Sequence, residues 1–569
     1  MAEQRAVHYH HHHHPTMIDP KSGFCSETKI YYSLLPPAAH LPPENASLSI
    51  TNYIFSLFHT RSSSPGKTAA MIDSATGDRH SYSEFFQQIE TLTISLQEQI
   101  GLCKGDTAFI LSPTKLHIPI LYFSLLSLGV VISPSNPTNT VSEISHQLNL
   151  CKPTIAFATS DTAHKLPSLL RHPTILLDSP DFQSMIKKTI SSGKRKLIDS
   201  VEVSQSDTAA ILYSSGTTGR VKGVMYTHRN LISAIADIFK PPTKTQKASS
   251  REVWFSAVPF FHVYGFAGCL KSVAMGETLV KTTEMFDVGR MLKAVEDFKV
   301  THLAVAPPVV VAMAKGVDLD MINGYDLSSL EAVLCGGAPL GMEVIARFRE
   351  RFPNLALEQG YGLTECAGKV FGTFGPWESR RVNSVGKLAE NLQAKIVDPD
   401  IGAALPPWKQ GELWIRGPPV MKGYVGEEEA TAATLDSDGW LRTGDLCYMD
   451  DDGFLFVIDR LKELIKYKGY QVPPAELEEL LQSHPDIVDA AVIPYPNEEA
   501  GQVPMAFVVR RPKSSMDESQ VMDFIAKQVA PYKKVRRVAF IDVIPRNAPG
   551  KILRKELIKL ALSRPTAKL

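Results

Sequence analysis

Short apolar runs alternate with amphipathic stretches over the first part of the chain, from Asn52 to about residue 240. The apolar runs that have the length of buried strands are Thr107–Leu111, Val130–Ser133, Ile155–Phe157 and Thr174–Leu177. Two of the amphipathic stretches, Ser83–Gly101 and Pro119–Leu128, have the length of helices. This order predicts βα units around a largely parallel sheet.

A second series of the same kind occupies residues 250 to 360. Thr301–Ala306 and Leu330–Leu334 have the composition of buried strands, and Met342–Phe352 has the pattern of a helix. The chain of 569 residues exceeds the roughly 250–300 residues at which a single hydrophobic core stops growing. We therefore expect more than one domain, and two βα subdomains in the larger one.

The pattern changes twice more towards the C-terminus. After about residue 382, short strands separated by frequent turns predict a compact β subdomain, with strands at Ala394–Val397, Gly411–Arg416 and Phe454–Ile458. After Arg460 a separate α+β pattern follows, with a helix at Ala475–Gln482 and strands at Val488–Ile493 and Met505–Val509. We predict an α/β fold in which residues 17–460 form a large N-terminal domain and residues 461–566 a small α+β C-terminal domain.

Composition narrows the class of partner. The chain has 60 Lys and Arg against 60 Asp and Glu, which gives no electrostatic reason to expect nucleic acid, so we expect small-molecule partners. Its seven cysteines form no CxxC pair, which is typical of a reducing compartment. The most apolar stretches are shorter than the ~20 residues of a membrane-spanning helix, so we expect no membrane span. A histidine tract within residues 8–14 is typical of a purification tag, and we exclude residues 1–16 from the argument.

One loop, Leu212–Gly223, has the chemistry of an oligophosphate site. It follows the apolar run Ala209–Leu212, which predicts a buried strand, so the loop is expected at the carboxyl end of that strand. Glycine N–H groups and small hydroxyls can donate to phosphate, and Lys222 adds a positive charge. The donors predicted in the loop are Ser214, Ser215, Gly216, Thr217, Thr218 and Gly219. The spacing does not fit the Walker A pattern, which excludes a P-loop NTPase.

Six further segments accompany this loop in a fixed order. They are Pro259–Gly265, Gly336–Leu340, Gln359–Glu365, Gly439–Asp445, Asp459–Gln471 and Pro545–Arg554. Together the seven segments resemble the adenylate-forming superfamily, which includes acyl-CoA synthetases, adenylation domains of non-ribosomal peptide synthetases and luciferases. Within it the chain resembles the branch of 4-coumarate:CoA ligases and 4-coumarate:CoA ligase-like enzymes. The resemblance covers nearly the whole chain beyond the tag.

The resemblance implies an ATP-dependent acid:CoA ligase that works in two steps through an acyl-adenylate. It implies ATP, Mg²⁺ and coenzyme A as the small molecules used besides a carboxylic acid. In this reading Thr364 contacts the α-phosphate, Glu365 binds Mg²⁺ and Tyr361 stacks on adenine. Asp445 accepts hydrogen bonds from the ribose hydroxyls, with Arg460 beside it. The further nucleotide contacts that it implies are Gly337, Ala338, Gln359, Gly360, Gly362, Lys466 and Gln471.

For several of these residues the alternative is an ordinary structural role. The pair Thr364-Glu365 has the composition of a helix N-cap. Asp445 after Gly444 is compatible with a turn, and His262 in its apolar segment with a core position.

Two lysines imply two conformations of a mobile C-terminal domain. Lys551 resembles the lysine that bridges the carboxylate and the α-phosphate during adenylation. Lys468 and Gly469 resemble the loop that faces the nucleotide and coenzyme A only during thioester formation. The domain would rotate between the half-reactions about the hinge residue Lys462.

The acyl site is implied by His262, which resembles the family histidine that orients the carboxylate. The other acyl-site positions that the resemblance implies are Val263, Tyr264, Leu334, Gly336, Gly337 and Gly362. Ligases specific for hydroxycinnamates carry a polar residue at the position of Leu334. Leucine leaves a buried phenol without a partner, at a cost of about 1–3 kcal/mol. Cinnamate is therefore favoured over 4-coumarate, and medium- or long-chain fatty acids and oxylipin precursors are alternatives; Lys369 and Lys387 are candidates for adding charge to the pocket.

The superfamily also includes luciferase-like monooxygenases, which are a different class of enzyme. Light output on luciferin would distinguish a monooxygenase from a ligase. The last residues, Ala567-Lys568-Leu569, resemble a peroxisomal targeting tripeptide read by an import receptor, with a cytoplasmic location as the alternative. A role in phenylpropanoid metabolism and a monomer or weak dimer complete these expectations.

Overall fold

The computed structural model describes residues 18–563 except 39, 62–65, 67, 168–169, 188–200, 215–220, 240–251, 285, 316–321, 323, 374, 382, 469 and 548–549. Its strands, in chain order, are β1 Tyr31–Tyr32, β2 Ala69–Asp73, β3 Arg79–Ser81, β4 Thr107–Leu111, β5 Val131–Ser135, β6 Ile155–Ala158, β7 Ile175–Leu176, β8 Thr208–Ser214, β9 Lys222–Thr227, β10 Val253–Ser256, β11 Thr278–Lys281, β12 His302–Val305, β13 Ala332–Gly336, β14 Ala356–Leu363, β15 Gly368–Gly372, β16 Lys387–Leu388, β17 Gln393–Val397, β18 Gly411–Arg416, β19 Gly423–Tyr424, β20 Leu441–Met449, β21 Leu455–Arg460, β22 Ile465–Tyr467, β23 Tyr470–Val472, β24 Ile487–Asn497, β25 Gly501–Arg510 and β26 Arg537–Phe540.

The α-helices of the same described residues are α1 Ile50–Arg61, α2 Tyr82–Ser95, α3 His117–Ser127, α4 Val141–Cys151, α5 Ser160–Ala163, α6 Pro180–Lys187, α7 His228–Ala236, α8 Val263–Met275, α9 Val288–Phe298, α10 Pro307–Lys315, α11 Met342–Arg351, α12 Gly375–Ser379, α13 Glu428–Thr434, α14 Pro474–Ser483, α15 Glu518–Ala526 and α16 Arg554–Ser563. A π-helical turn at Leu96–Ile100 extends α2, and a 3₁₀ turn covers Pro531–Lys533. A capping box explains where α2 begins, because the side chains of Ser81 and Glu84 each accept a hydrogen bond from the other's backbone N–H.

The two βα series form two separate sheets. One has the strand order β19-β9-β8-β5-β4-β6-β7, and the other β16-β15-β14-β13-β12-β10-β11-β2-β3. The pairs from β8 to β7 and from β14 to β2 are parallel, whereas the strands added at the edges are antiparallel. The expected βα fold class is confirmed, and β8 and β9 differ from a βα unit because they form an antiparallel hairpin.

The remaining strands form two smaller sheets. The order β1-β17-β18-β20-β21 is wholly antiparallel, and its last strand ends at Arg460. The C-terminal sheet has the order β23-β22-β25-β24, with β26 parallel to β25. Its first strand in the sequence begins at Ile465, so the interval between the two sheets is four residues, 461–464.

Hydrophobic cores lie between these layers. The largest contains aromatic side chains of several helices, among them Phe58, Tyr82, Phe123 and Phe266. The C-terminal sheet has its own cores, one around Ile465, Leu477 and Val508. All seven cysteines are free thiols. Within the described ranges, no helix combines the length and the apolar character that crossing a bilayer requires.

Candidate active site

A buried carboxylate lies where the five-stranded antiparallel sheet meets the nine-stranded sheet. Asp445 and Arg460 are opposite each other in the antiparallel pair β20–β21, and Arg460 Nε is 2.6 Å from Asp445 Oδ1. The hydroxyl of Tyr361, near the end of β14, donates to Asp445 Oδ2 at 2.5 Å. Burial raises the pKa of the Asp445 carboxyl above its ordinary value, and Arg460 and Tyr361 oppose this effect. Asp445 therefore lies within a strand and not in a turn, and it accepts hydrogen bonds from two sides.

Lys551 reaches the same cluster from the C-terminal region. Its ammonium lies 3.9 Å from Glu463 Oε1, and the side chain is 33% exposed. Burial, together with repulsion from Arg460, lowers the pKa of Lys551, and the charge on Asp445 acts in the opposite direction. The preceding Gly550 has φ +85°, and a Cβ there would be 3.0 Å from the side chain of Pro308. The positive φ and the close approach to Pro308 both favour glycine at position 550.

The second predicted lysine loop lies away from this cluster. Lys466, Lys468 and Gln471 are exposed on the hairpin of β22 and β23, and the backbone N–H of Lys468 donates to the carbonyl of Ala500 at 2.9 Å. Lys468 has φ +46°, as expected for a tight turn. The conformation therefore brings together Lys551 and Asp445 and does not bring Lys468 to them. Gly469 lies outside the described residues, and Lys462 is an exposed residue of the segment between the sheets.

Glu365 follows β14 in a turn, so the helix N-cap alternative is wrong. Its Oε1 accepts a hydrogen bond from the Tyr424 hydroxyl at 2.9 Å, and the Lys222 ammonium lies 4.5 Å from the centroid of the Tyr424 ring. The carbonyl of the neighbouring Thr364 accepts from the Tyr226 hydroxyl. The described residues include no cluster of three or more His, Cys, Asp or Glu side chains suited to a metal ion. A single carboxylate such as Glu365 is compatible with a magnesium ion held mainly by phosphate oxygens.

The predicted phosphate loop lies between β8 and β9 in the sequence. Ser214, at the end of β8, is paired with Lys222, at the start of β9, as the sequence predicted for a loop at the carboxyl end of a strand. Ser214 is 8% exposed, and its Oγ makes no hydrogen bond to the described residues. Ser215, Gly216, Thr217, Thr218 and Gly219 lie outside the described residues.

Helix α8 begins at the predicted acyl-site histidine. His262 is its N-cap, and its Nδ1 accepts a hydrogen bond from the backbone N–H of Tyr264 at 3.3 Å. Burial lowers the pKa of His262 to about 4, so its imidazole is neutral at physiological pH. The Tyr264 hydroxyl donates to the carbonyl of Leu334 at 3.0 Å, and Val263 is buried below. Leu334 is half-buried on β13, on the same face as Gly336.

Glycines of β13 and β14 permit close approach of the backbones. A Cβ at Gly336 would lie 3.2 Å from the carbonyl oxygen of Gly360, and one at Gly362 would lie 2.4 Å from that of Gly368. Gly337 has φ +94°, which favours glycine. Gln359 donates from its backbone to Thr373 Oγ1 at 3.3 Å, and Ala338 is half-buried after β13.

The two lysines considered for the acyl pocket have different surroundings. The Lys369 stem lies along Gly360, where a Cβ would be 3.7 Å from its Cδ, on strands that line the predicted pocket. Lys387 points elsewhere: its ammonium lies 4.9 Å from the ring centroid of Phe454 and 3.4 Å from the carbonyl of Lys21.

Sequence reasoning did not identify Tyr424 or Tyr226. Tyr424 is separated from Glu365 by 59 positions, and it reaches the site because β19 pairs with β9 at the edge of the seven-stranded sheet. A two-residue edge strand has no periodicity that a sequence pattern could reveal.

Comparisons with known proteins agree with this geometry. The family model described as "AMP-binding enzyme" matches residues 57–425, and that described as "AMP-binding enzyme C-terminal domain" matches residues 476–551. The chain is 50% identical to 4-coumarate--CoA ligase-like 9 of Arabidopsis thaliana over 97% of this chain and 98% of the relative. It is 45% identical to Peroxisomal OPC-8:0-CoA ligase 1 of the same plant, over 96% and 99% of the two chains.

Solved structures share the fold. The complex of o-succinylbenzoate CoA synthetase from Bacillus subtilis with its acyl-adenylate intermediate has a TM-score of 0.74 at 26% identity, covering 88% of this chain and 97% of that one. The same enzyme is also known in complex with ATP and magnesium. The ATP-bound MatB of Rhodopseudomonas palustris has a TM-score of 0.79 at 24% identity, covering 91% and 99%. The chain uses ATP, Mg²⁺ and coenzyme A with a small carboxylic acid. It belongs to the family of AMP-binding enzymes and is an AMP-forming acid:CoA ligase.

Proposed function

We propose that the enzyme activates cinnamate-like or other hydrophobic carboxylates and transfers them to coenzyme A. The observation that carries this proposal is the position of Lys551, whose ammonium lies 3.9 Å from Glu463 and whose pKa responds to the charges of Arg460 and Asp445. With the cluster of Asp445, Arg460 and Tyr361, it combines a carboxylate for ribose hydroxyls, a flat ring for adenine and cations for phosphate.

In the adenylation step, an oxygen of the substrate carboxylate attacks the α-phosphorus of ATP, and pyrophosphate leaves. Negative charge gathers on the pentacoordinate phosphorus, so preorganised cations and donors lower the barrier. We assign Lys551 and Thr364 to the α-phosphate, and Ser214 and Lys222 with the loop 215–219 to the β- and γ-phosphates. Glu365 would hold Mg²⁺, which supplies positive charge to the phosphate oxygens.

The nucleotide is held by backbone as well as side chains. We assign the strands of Gln359, Gly360 and Gly362 to the adenine and α-phosphate side, because their small residues leave room for a ligand beside the backbone. Gly337 and Ala338 would lie on the opposite side of the base.

In the thioester step, the sulfur of coenzyme A attacks the acyl carbon, and AMP leaves with the electron pair of the broken bond. We assign Lys468 and Gly469 to coenzyme A, and Lys466 and Gln471 to the nucleotide in this state. The exposed position of Lys468 supports the assignment of the described conformation to adenylation, and Lys462 is the proposed hinge.

The acyl group would lie beside His262, Val263, Tyr264 and Gly336. Neutral His262 can orient the carboxylate without adding a charge. Leu334 offers no hydrogen bond to a ring hydroxyl, which favours cinnamate over 4-coumarate and keeps fatty acids and oxylipin precursors as candidates.

We also propose a peroxisomal location, and a role in phenylpropanoid metabolism if cinnamate is the substrate. A relative bears the name Peroxisomal OPC-8:0-CoA ligase 1, and the last three residues of this chain fit an import signal, although they lie outside the described residues. A fluorescent fusion with and without these three residues tests this location.

The test of the substrate is pyrophosphate release with ATP and Mg²⁺, with and without coenzyme A, over cinnamate, 4-coumarate, benzoate and graded fatty acids. We expect the strongest release, and a thioester product, with cinnamate or an aliphatic acid. A strong preference for 4-coumarate would contradict the argument from Leu334.

A further inference from the structure

One carboxylate in the short segment between the two smaller sheets contacts two cations of the C-terminal region. Glu463 lies in residues 461–464, after the end of β21. Its Oε2 accepts a hydrogen bond from Arg554 Nε at 2.9 Å, and its Oε1 is 3.9 Å from the Lys551 ammonium. The Glu463 side chain is 22% exposed, so solvent screens these charges less than it does at an open surface. Glu463 therefore joins the lysine assigned to adenylation to a second, less exposed cation.

Arg554 fixes the position of this carboxylate. The Arg554 side chain is 12% exposed, and its two terminal nitrogens donate to the Glu478 carboxylate at 2.5 and 3.1 Å. Glu478 lies on α14 and also accepts from the backbone N–H of Val492 on β24 at 2.7 Å. A planar guanidinium that bridges two carboxylates leaves little freedom for either of them. Glu463 is thus held by contacts that lead into the C-terminal sheet.

A turn places Glu463 beside the end of β21. The backbone N–H of Glu463 donates to the carbonyl of Arg460 at 2.9 Å, and this turn contains the proposed hinge Lys462. Rotation at Lys462 would open the turn, whereas Glu463 would move together with Arg554 and Lys551. The described conformation therefore combines a lysine, its carboxylate partner and Arg460, whose charge acts on the same lysine.

The charges around Lys551 act on its ammonium in opposite directions. Burial lowers the pKa of Lys551, and the positive charges of Arg460 and Arg554 act in the same direction. The carboxylates of Glu463 and Asp445 oppose them, and Glu463 has the larger effect of the two. Without the Glu463 charge, two arginines and one carboxylate would act on this amine. A neutral amine would supply less positive charge to a phosphate than an ammonium does.

We propose that Glu463 is a positioning residue of the adenylation step, because it fixes the Lys551 amine and keeps it charged. The proposal rests on the proposed function, in which Lys551 stabilises negative charge at the α-phosphate. Removal of the Glu463 charge would leave the ion pair of Arg554 with Glu478 in place and would make Lys551 lose its proton at a lower pH. Adenylation would then decline at a lower pH than in the wild type, whereas the thioester step, which does not use Lys551 in the proposed scheme, would not.

The experiment measures ATP–pyrophosphate exchange from neutral to alkaline pH in the wild type, Glu463→Gln and Glu463→Asp. Glutamine keeps an oxygen that can accept from Arg554 and removes the charge. We expect the alkaline limb of kcat/KM to shift down by about half a unit to one pH unit, a loss of about three- to tenfold on that limb, with little change near neutral pH. Glu463→Asp retains the charge and should keep the limb near its wild-type position. The control Glu476→Gln removes the carboxylate that pairs with Lys533 at 2.7 Å and should leave the profile unchanged.

Competitive labelling with acetic anhydride gives a second measurement that needs no turnover. The neutral amine is the form that reacts, so the labelled fraction of the Lys551 peptide, followed by mass spectrometry against pH, reports the titration of this group. The curve of Glu463→Gln should shift by the same amount as its exchange profile.

Three results would each overturn the proposal. They are an unchanged labelling curve in Glu463→Gln, a loss of exchange that is equal at every pH, and a rate of thioester formation from supplied acyl-adenylate that falls as much as exchange does. Absence of pyrophosphate release by the wild type with every acid would instead overturn the proposed function, and the labelling curves would still show whether Glu463 keeps Lys551 charged.

Discussion

Lys551→Ala is expected to stop adenylate formation and to spare the thioester step. In the described conformation the charges of Arg460 and Asp445 act on the Lys551 ammonium, and Gly550 places this loop against Pro308. Lys468 is exposed on a separate hairpin. A substitution at Lys551 would therefore remove a cation from the proposed phosphate side of the site and leave the other loop intact.

The magnitude follows from the position of the ammonium. A single preorganised donor to charge that develops in the transition state contributes about 2.7–4 kcal/mol, or 10²–10³ in rate. We expect a loss of this size in adenylation. The free energy of unfolding should change little. The Lys551 ammonium is 3.9 Å from Glu463 and the Lys551 side chain is 33% exposed, and ion pairs of this kind contribute about 0–1 kcal/mol.

Two assays separate the steps. ATP–pyrophosphate exchange measures adenylation, and conversion of supplied acyl-adenylate with coenzyme A measures thioester formation. The matched variant is Lys468→Asn, since asparagine tolerates the φ of +46° at this position better than alanine does. It should lower the second rate and spare the first. Equal loss of both rates in Lys551→Ala would refute the division of labour, and so would a Lys468 variant that fails in exchange.

Three further substitutions or profiles test other parts of the site. Tyr424→Phe removes the hydroxyl that donates to Glu365. The Mg²⁺ concentration for half-maximal pyrophosphate release should rise about tenfold, as it does for other residues that orient metal ligands. An unchanged Mg²⁺ titration would argue against Glu365 as the ligand. Glu479→Ala removes the carboxylate that accepts from the Met342 N–H at the start of α11. An exposed contact of this kind contributes about 0.5–1 kcal/mol, so adenylation should slow about two- to fivefold while conversion of supplied acyl-adenylate is retained. Burial lowers the pKa of His262 to about 4. A plot of the single-turnover rate of adenylation against pH should therefore have no inflection near pH 6.5, the ordinary pKa of imidazole. An inflection there that disappears in His262→Asn would contradict the buried, neutral ring.

The strands that sequence predicted well are short apolar runs with turn residues at both ends. Thr107–Leu111 and Gly411–Arg416 have the predicted bounds, because buried strands need continuous apolar residues or strict alternation. The hairpin partner β9 was not predicted, since its pairing with β8 depends on the direction of the chain after the phosphate loop. Such a choice is made by tertiary packing and not by local composition.

In the candidate site too, residues within motifs were predicted, whereas contacts made by tertiary packing were not. Asp445 and Arg460 were named from their motifs, and their pairing across β20 and β21 follows from strand register. Tyr424 and Tyr226 were not named. Each reaches its contact through tertiary packing.

The contacts between the large domain and the C-terminal region suit an interface that opens in each turnover. Besides Gly550 against Pro308, they include the Ala475 N–H donating to Asp459 Oδ2 at 2.9 Å and the Glu479 carboxylate at Met342. A hydrogen bond at an interface contributes only about 0.5–1.5 kcal/mol net, because water replaces it when the interface opens. The stronger pairs of Arg554 with Glu463 and Glu478 both lie beyond the proposed hinge at Lys462. Rotation about this hinge would therefore break a few weak contacts and preserve the strong ones, which is what two half-reactions at one site require.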